Sequence, residues 1–109
     1  MLDNKETVFE VGKIVAIRIT TGDEVIGEIT DMNKESITLK KPCGLQLNQQ
    51  TGEVILAPAT MLGDPTAPIA YQRSAIVARM TPRDDALSSY KEYASDIALV
   101  KKDGLVLPK

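Results

Sequence analysis

Apolar and polar residues alternate with a period of two through the first part of this chain. In VGKIVAIRITT, Val15, Ile17 and Ile19 alternate with Ala16, Arg18 and Thr20, the pattern of a strand that buries one face, and Ile14 adds an apolar contact at its start. Thr21, Gly22, Asp23 and Glu24 supply turn chemistry, Gly22 being free to take the positive φ that a side chain resists. VIGEITDM sets Val25, Gly27 and Ile29 on one face of a second strand and Ile26, Glu28 and Thr30 on the other. A glycine inside a strand weakens it, so Gly27 marks a sharp bend or a close backbone approach, as where a small barrel turns a corner. Asp31 to Glu35 form the next turn, and SITLKKPC continues the meander with Ile37 and Leu39 inward until Pro42 and Gly44 interrupt it with a bend or a switch to the sheet edge. The run from Ile14 to Leu39 therefore predicts three short antiparallel strands joined by two tight turns.

Farther on, LQLNQQTGEVILAPATM predicts a hairpin with Asn48 to Gly52 at its tip and Val54, Ile55 and Leu56 as a strand covered on both faces. MLGDPTAP has no period and predicts a mobile loop. IAYQRSAIVARM reads as two strand pieces meeting at Arg73 and Ser74, with Ile76, Ala78 and Met80 on one face and Val77 and Arg79 on the other, closing the strand count at about five. A helix follows. Thr81 suits its cap, Pro82 its first position, and Asp84 and Asp85 the positive end of its dipole. Leu87, Tyr90, Ala94, Ile97 and Ala98 share one face of it, Lys101 and Lys102 suit its last turn, and Gly104 its end. Leu105, Val106 and Leu107 form a docked or sticky tail, and the first ten residues a lead-in that packs on the barrel or frays.

A length of 109 residues is that of one domain, spanning 1–109, with the barrel over about 11–82 and the helix over about 82–102. Phe9, Tyr71, Tyr90 and Tyr93 are the only aromatic residues, so Val, Ile, Leu, Ala and Met must fill the interior, which favours an oligomer. Net charge is −2, so no global field draws nucleic acid and any polyanion site must be local. Cys43 is the one cysteine and reads as a small half-buried strand residue. With no disulfide pair, signal peptide or long apolar run, the expectation is a soluble protein of the cytoplasm, without a membrane partner. Zero histidine removes the commonest general base and metal ligand, and no nucleophile, carboxylate pair, metal cluster or phosphate loop stands out. No enzyme, cofactor, metal or small-molecule substrate is expected. Asp84 and Asp85 read as helix-start charges, Tyr90 as a packing residue, and Lys40 with Lys41 as a solvated strand edge.

Thr21 and Gly22, then Gly27, Ile29, Asp31, Met32, Asn33, Ile37 and Leu39, resemble the first motif of the Sm-like (LSm) family. Tyr71, Gln72, Arg73 and Ser74 with the apolar run Ile76 to Met80 stand where that family has its second motif, and MTPRDDALSSYKEY resembles the ending of Sm-like proteins carried by marine bacteriophages. The resemblance covers roughly residues 11–82. It implies a mainly β fold, a small, strongly bent five-stranded antiparallel Sm-like (SH3-like) barrel with a C-terminal helix, and a homo-oligomeric ring of five to seven subunits joined by edge strands. Apolar runs such as Val54 to Leu56 and Ala75 to Val77 suit burial between such subunits. It further implies single-stranded RNA bound at loops facing the pore, in the host cytoplasm for a phage protein. The positions that match are Asp31, Asn33 and Lys34 in one loop and Arg73 and Ser74 in the other, with Lys34, Lys40, Lys41 and Arg73 as a local basic patch. Ser74 stands where the family has glycine, and no aromatic residue lies between Gly27 and Asn33. Read from the residues alone, Asn33 is a turn residue chosen because asparagine tolerates left-handed geometry. A scaffold that has kept the ring and lost RNA recognition is the alternative.

Overall fold

In the computed structural model, which describes residues 8–47 and 49–103 (side chains of 47, 54 and 96–103 apart), the alternating segments form the expected first hairpin. It joins β1 (Ile14–Ile19) to β2 (Glu24–Met32). Gly22 takes φ 95° at its turn and donates its N–H to the Ile19 carbonyl at 2.8 Å. Next come β3 (Ser36–Leu47), β4 (Val54–Pro58), β5 (Ile69–Gln72), β6 (Ile76–Met80) and the helix α1 (Asp84–Asp103). The strands lie in the order β4-β3-β2-β1-β6, with β5 also on β3. All pairings are antiparallel.

Six strands form where five were expected, and they make an open sheet. The extra strand arises because Ile69–Gln72 and Ile76–Met80 belong to different neighbours. The first pairs with β3 and the second with β1, turned apart by a short 3-10 turn at Arg73–Ala75. The predicted interruption at Pro42 and Gly44 takes the form of a bend within one continuous strand. β3 runs on for 12 residues, pairing its first half with β5 and its second with β4.

What bends β3 is a mismatch in its ladder with β2. Ile26 faces Cys43 and Glu28 faces Lys40, so β3 spends one residue more than β2 between those pairs. That bulge holds Lys41 at φ 47°, a left-handed conformation uncommon outside glycine. Across from it lies Gly27. A Cβ there would sit 3.0 Å from the Leu39 Cβ and 3.4 Å from the Lys40 carbonyl oxygen, so the strands approach closely only because residue 27 lacks a side chain.

Inside the curl, Val15, Ile17, Val25, Ile29, Ile37 and Leu39 form the core, with Phe9, Ile19, Met32, Tyr71 and Ile76 packed at its margin. These are the inward positions that the period of two predicts. The face expectation fails in β6, where Ile19 pairs with Ile76 and Arg18 with Ala78. Directly opposed residues share a face, so the bulge at Val77 puts Ile76 on the core side while Ala78 and Met80 lie on the other.

A second cluster forms on the opposite face, where Ile26, Cys43 and Tyr90 are buried with Ile14, Leu56, Ala86, Tyr93 and Ala94 around them. Cys43 is wholly buried rather than half-buried. The reason is the helix, whose Tyr90 side chain enters between β2 and β3. Its hydroxyl donates to the Lys40 carbonyl at 2.5 Å and accepts the Glu28 N–H at 3.3 Å, joining two backbone groups beside the bulge. Lys41 reaches the same helix, its Nζ donating to the Ala94 carbonyl at 3.0 Å.

The helix begins two residues later than the sequence suggests. Its first helical bond runs from the Leu87 N–H to the Arg83 carbonyl at 2.8 Å, which makes Arg83 and not Thr81 the capping position. Asp85 takes the Arg83 guanidinium at 3.0 and 3.1 Å and its Oδ1 accepts the Ala86 N–H at 2.8 Å, so it serves as the expected first-turn charge. The lead-in before Val8, Asn48, the stop at Gly104 and the tail Leu105 to Leu107 lie outside the described residues, as do the side chains of Ile97 and Ala98. No helix among the described residues is long and apolar enough to cross a membrane.

Gly27→Ala should cost about 1–3 kcal/mol in urea unfolding, because the added methyl meets Leu39 and backbone at the bulge. Burial pushes the Cys43 thiol up from 9.0 to about 12, and the Tyr90 and Tyr93 hydroxyls from 10.0 to about 12. Each group stays protonated to higher pH in the folded chain than in the unfolded one. The stability from keeping the thiol neutral is therefore complete below pH 9 and lost as pH rises toward 12. Urea midpoints should fall as pH rises from about 9 toward 12, and Cys43→Ala should flatten that fall.

Candidate nucleic-acid interface

Two loops that are remote in sequence meet at one end of the sheet. Pairing of Ser36 with Gln72 brings the end of β5 beside the turn that precedes β3. The next residue, Arg73, then donates its backbone N–H to the Glu35 carbonyl at 2.8 Å. Its side chain folds over the same turn, Nε donating to the Asn33 carbonyl at 2.7 Å. Arg73 is half-buried and Ser74 beside it is exposed.

Asn33 organises its own loop. The side-chain Oδ1 accepts the N–H groups of Glu35 and Ser36, both at 2.8 Å, and the Ser36 hydroxyl at 3.4 Å, while its backbone N–H donates to the Ser36 carbonyl at 3.0 Å. Asparagine is thus used for its acceptor and not for left-handed tolerance, since Asn33 does not take a positive φ. Its Nδ2 group carries no hydrogen bond among the described residues. Lys34 is exposed at the tip, and Asp31 is exposed on β2 opposite Thr38. Asp31, Asn33, Lys34, Arg73 and Ser74 therefore come together around one pair of loops.

The expected basic patch divides. Lys40 lies beside Glu28 at 3.6 Å on the face toward α1, and Lys41 is turned to the helix backbone. Lys34 and Arg73 remain at the loops, with Asp31 and Glu35 as neighbours of opposite sign. The local field is weak, and the polar groups these loops present are the exposed Asn33 amide and the Arg73 guanidinium. Among the described residues no cluster of three or more His, Cys, Asp or Glu could hold a metal ion.

A second surface was missed by the sequence reading. On the sheet face opposite the core, an apolar trough of about 180 Å³ runs under the start of α1, walled by Ala16, Ile26, Leu45, Leu56, Met80 and Ala86. Arg83 and Glu24 stand at its rim. The signal was present in Ala16, Ile26 and Met80, apolar residues on the strand face where a half-buried pattern puts polar ones. Compared with family models and with curated proteins, the sequence matches none.

Asn33→Ala should cost about 1–2 kcal/mol in urea unfolding, since two backbone N–H groups lose their acceptor, whereas Asn33→Asp keeps it and should stay within about 0.5 kcal/mol of the parent.

Proposed function

We propose that this chain is a non-enzymatic, ring-forming Sm-like protein whose loops around Asn33 and Arg73 bind single-stranded RNA. The observation that carries the reading is the joining of those two loops across 40 residues of sequence, through Arg73 Nε and the Asn33 carbonyl, at one end of a sharply bent, open sheet. An Sm-like barrel with its pore-side loops has this arrangement.

The margins of the sheet support assembly. β6 ends one side, while β4 and β5 end the other, so both sides offer backbone N–H and C=O groups for pairing with further strands. Each margin also exposes a large apolar side chain, Ile55 at 49 % and Val77 at 59 %. A ring of five to seven copies would pair the margins and leave no unpaired end. At the loops, the Arg73 guanidinium is held by Nε alone among the described residues, leaving its remaining N–H groups and its flat face for a phosphate or a base. The Asn33 Nδ2 group adds one donor toward a base edge.

A scaffold without RNA is the second reading. It is favoured by the engagement of Lys40 and Lys41 on the helix side, by the Asn33 Oδ1 already used in its turn, and by the net charge of −2.

Light scattering should give a mass of several chains, and a monomer at micromolar concentration would remove the ring. Titration with short uridine-rich and adenine-rich RNAs at about 50 mM salt should show binding that weakens as salt rises. Arg73→Ala should reduce affinity by about tenfold or more. A ring that binds no RNA would leave the scaffold reading standing, and one that binds it equally well after Asn33→Ala and Arg73→Ala would remove the loop site.

A further inference from the structure

The turn before β3 uses its neutral acceptors internally. Asn33 Oδ1 takes the N–H groups of Glu35 and Ser36, both at 2.8 Å, and two backbone donors on one atom fix which end of the amide faces the chain. The outward end of this exposed side chain is therefore Nδ2, a donor only. The backbone carbonyls around it are engaged as well. Arg73 Nε reaches that of Asn33 at 2.7 Å, the Arg73 N–H that of Glu35 at 2.8 Å, and the Asn33 N–H that of Ser36 at 3.0 Å.

Donors remain. The Arg73 guanidinium is anchored through Nε, so its two terminal nitrogens, which carry no hydrogen bond among the described residues, form a fork held against the Asn33 turn. An asparagine free at both ends of its amide reads an edge that mixes donor and acceptor, such as N6 and N7 of adenine. Asn33 lacks that second end, and an exocyclic amino group would meet its Nδ2 as donor against donor. What the fork and the amide fit is a pair of adjacent acceptors, and guanine presents O6 and N7 in that arrangement. Uracil separates its two oxygens by an N–H, and adenine sets its amino group beside N7. Cytosine has N3 beside O2, but its amino group borders N3 on the same edge.

The charged neighbours agree with guanine. Asp31 and Glu35 are exposed beside the loops, and their carboxylates accept N–H groups. Guanine carries its N1–H and its amino group on the side away from N7, so it can meet carboxylates without withdrawing its acceptor pair from the fork.

We propose that these loops select guanine in single-stranded RNA, with Arg73 and Asn33 as the donors to O6 and N7. This preference rests on the RNA reading and names the base it takes.

The test titrates the full chain with uridine hexamers of equal charge that carry one central guanosine, adenosine, cytidine or 7-deazaguanosine. The guanosine hexamer should bind about tenfold tighter than the adenosine and cytidine ones, and 7-deazaguanosine, with C–H in place of N7, should lose most of that gain. Asn33→Asp keeps the acceptor that the turn needs and exchanges the outward donor for an acceptor, so its urea midpoint should stay near the parent's. Its ratio of cytidine to guanosine affinity should rise by about tenfold, because a carboxylate accepts from the cytosine amino group and repels O6. Ratios within one variant cancel the added charge. Hexamers that all bind alike, with Arg73→Ala weakening every one, would place the fork on a phosphate and overturn the base preference while the RNA site stands. A cytidine-to-guanosine ratio unchanged by Asn33→Asp would overturn it too. Binding of no hexamer would remove the site and the preference together.

Discussion

Everything in this fold follows from the close crossing of β2 and β3 at Gly27. Two strands can come that near only where one lacks a Cβ, and the Leu39 side chain fills the place a Cβ would take. The extra residue at Lys41 then breaks the ladder, and a broken ladder leaves polar backbone in a dry place. The Tyr90 hydroxyl resolves this by bonding to both Glu28 N–H and the Lys40 carbonyl. Bend and helix are therefore one unit: the bulge supplies the polar groups that anchor the helix, and the helix supplies the hydroxyl that makes the bulge tolerable in the interior.

The bend also decides what lies at the far end of the sheet. Because β3 turns, its first half meets β5 and its second half meets β4, and the β5 contact carries Arg73 to the Asn33 turn. Five cations are taken up in holding this shape. Arg18 lies on Glu24, Lys40 on Glu28, Lys41 on the helix backbone, Arg83 on Asp85, and Arg79 stacks 5.4 Å from the centre of the Phe9 ring. Such exposed pairs contribute little energy individually. Their consequence is distributional, because they leave Lys34 and Arg73 as the basic groups at the joined loops.

The inward set of β1, β2 and the first half of β3 was legible from alternation alone, since one buried face imposes a period of two on every residue. Gly27 was legible as a bend for the same reason: a strand has no local use for glycine. Alternation could not show the bulge at Val77, because one inserted residue reverses the faces without changing composition, and Ile76 and Met80 end on opposite sides. Nor could it show that Pro42 would be accommodated within β3, since Pro42 falls in the bulge, where the ladder with β2 asks no N–H of it. At the loops, residue type pointed to the turn at Asn33 but not to its partner. The contact with Arg73 depends on strand pairing, which no local pattern encodes, and the fate of Lys40 and Lys41 depends on where the helix docks.

The two borders of the sheet are chemically and geometrically different, one a single strand and the other two short strands separated by a loop. A body with unlike borders has polarity: copies joined through them all point the same way, and each junction consumes one border of each kind. In the proposed ring, a copy with one border spoiled would attach through the other and admit no successor, so a single such copy would keep the ring from closing.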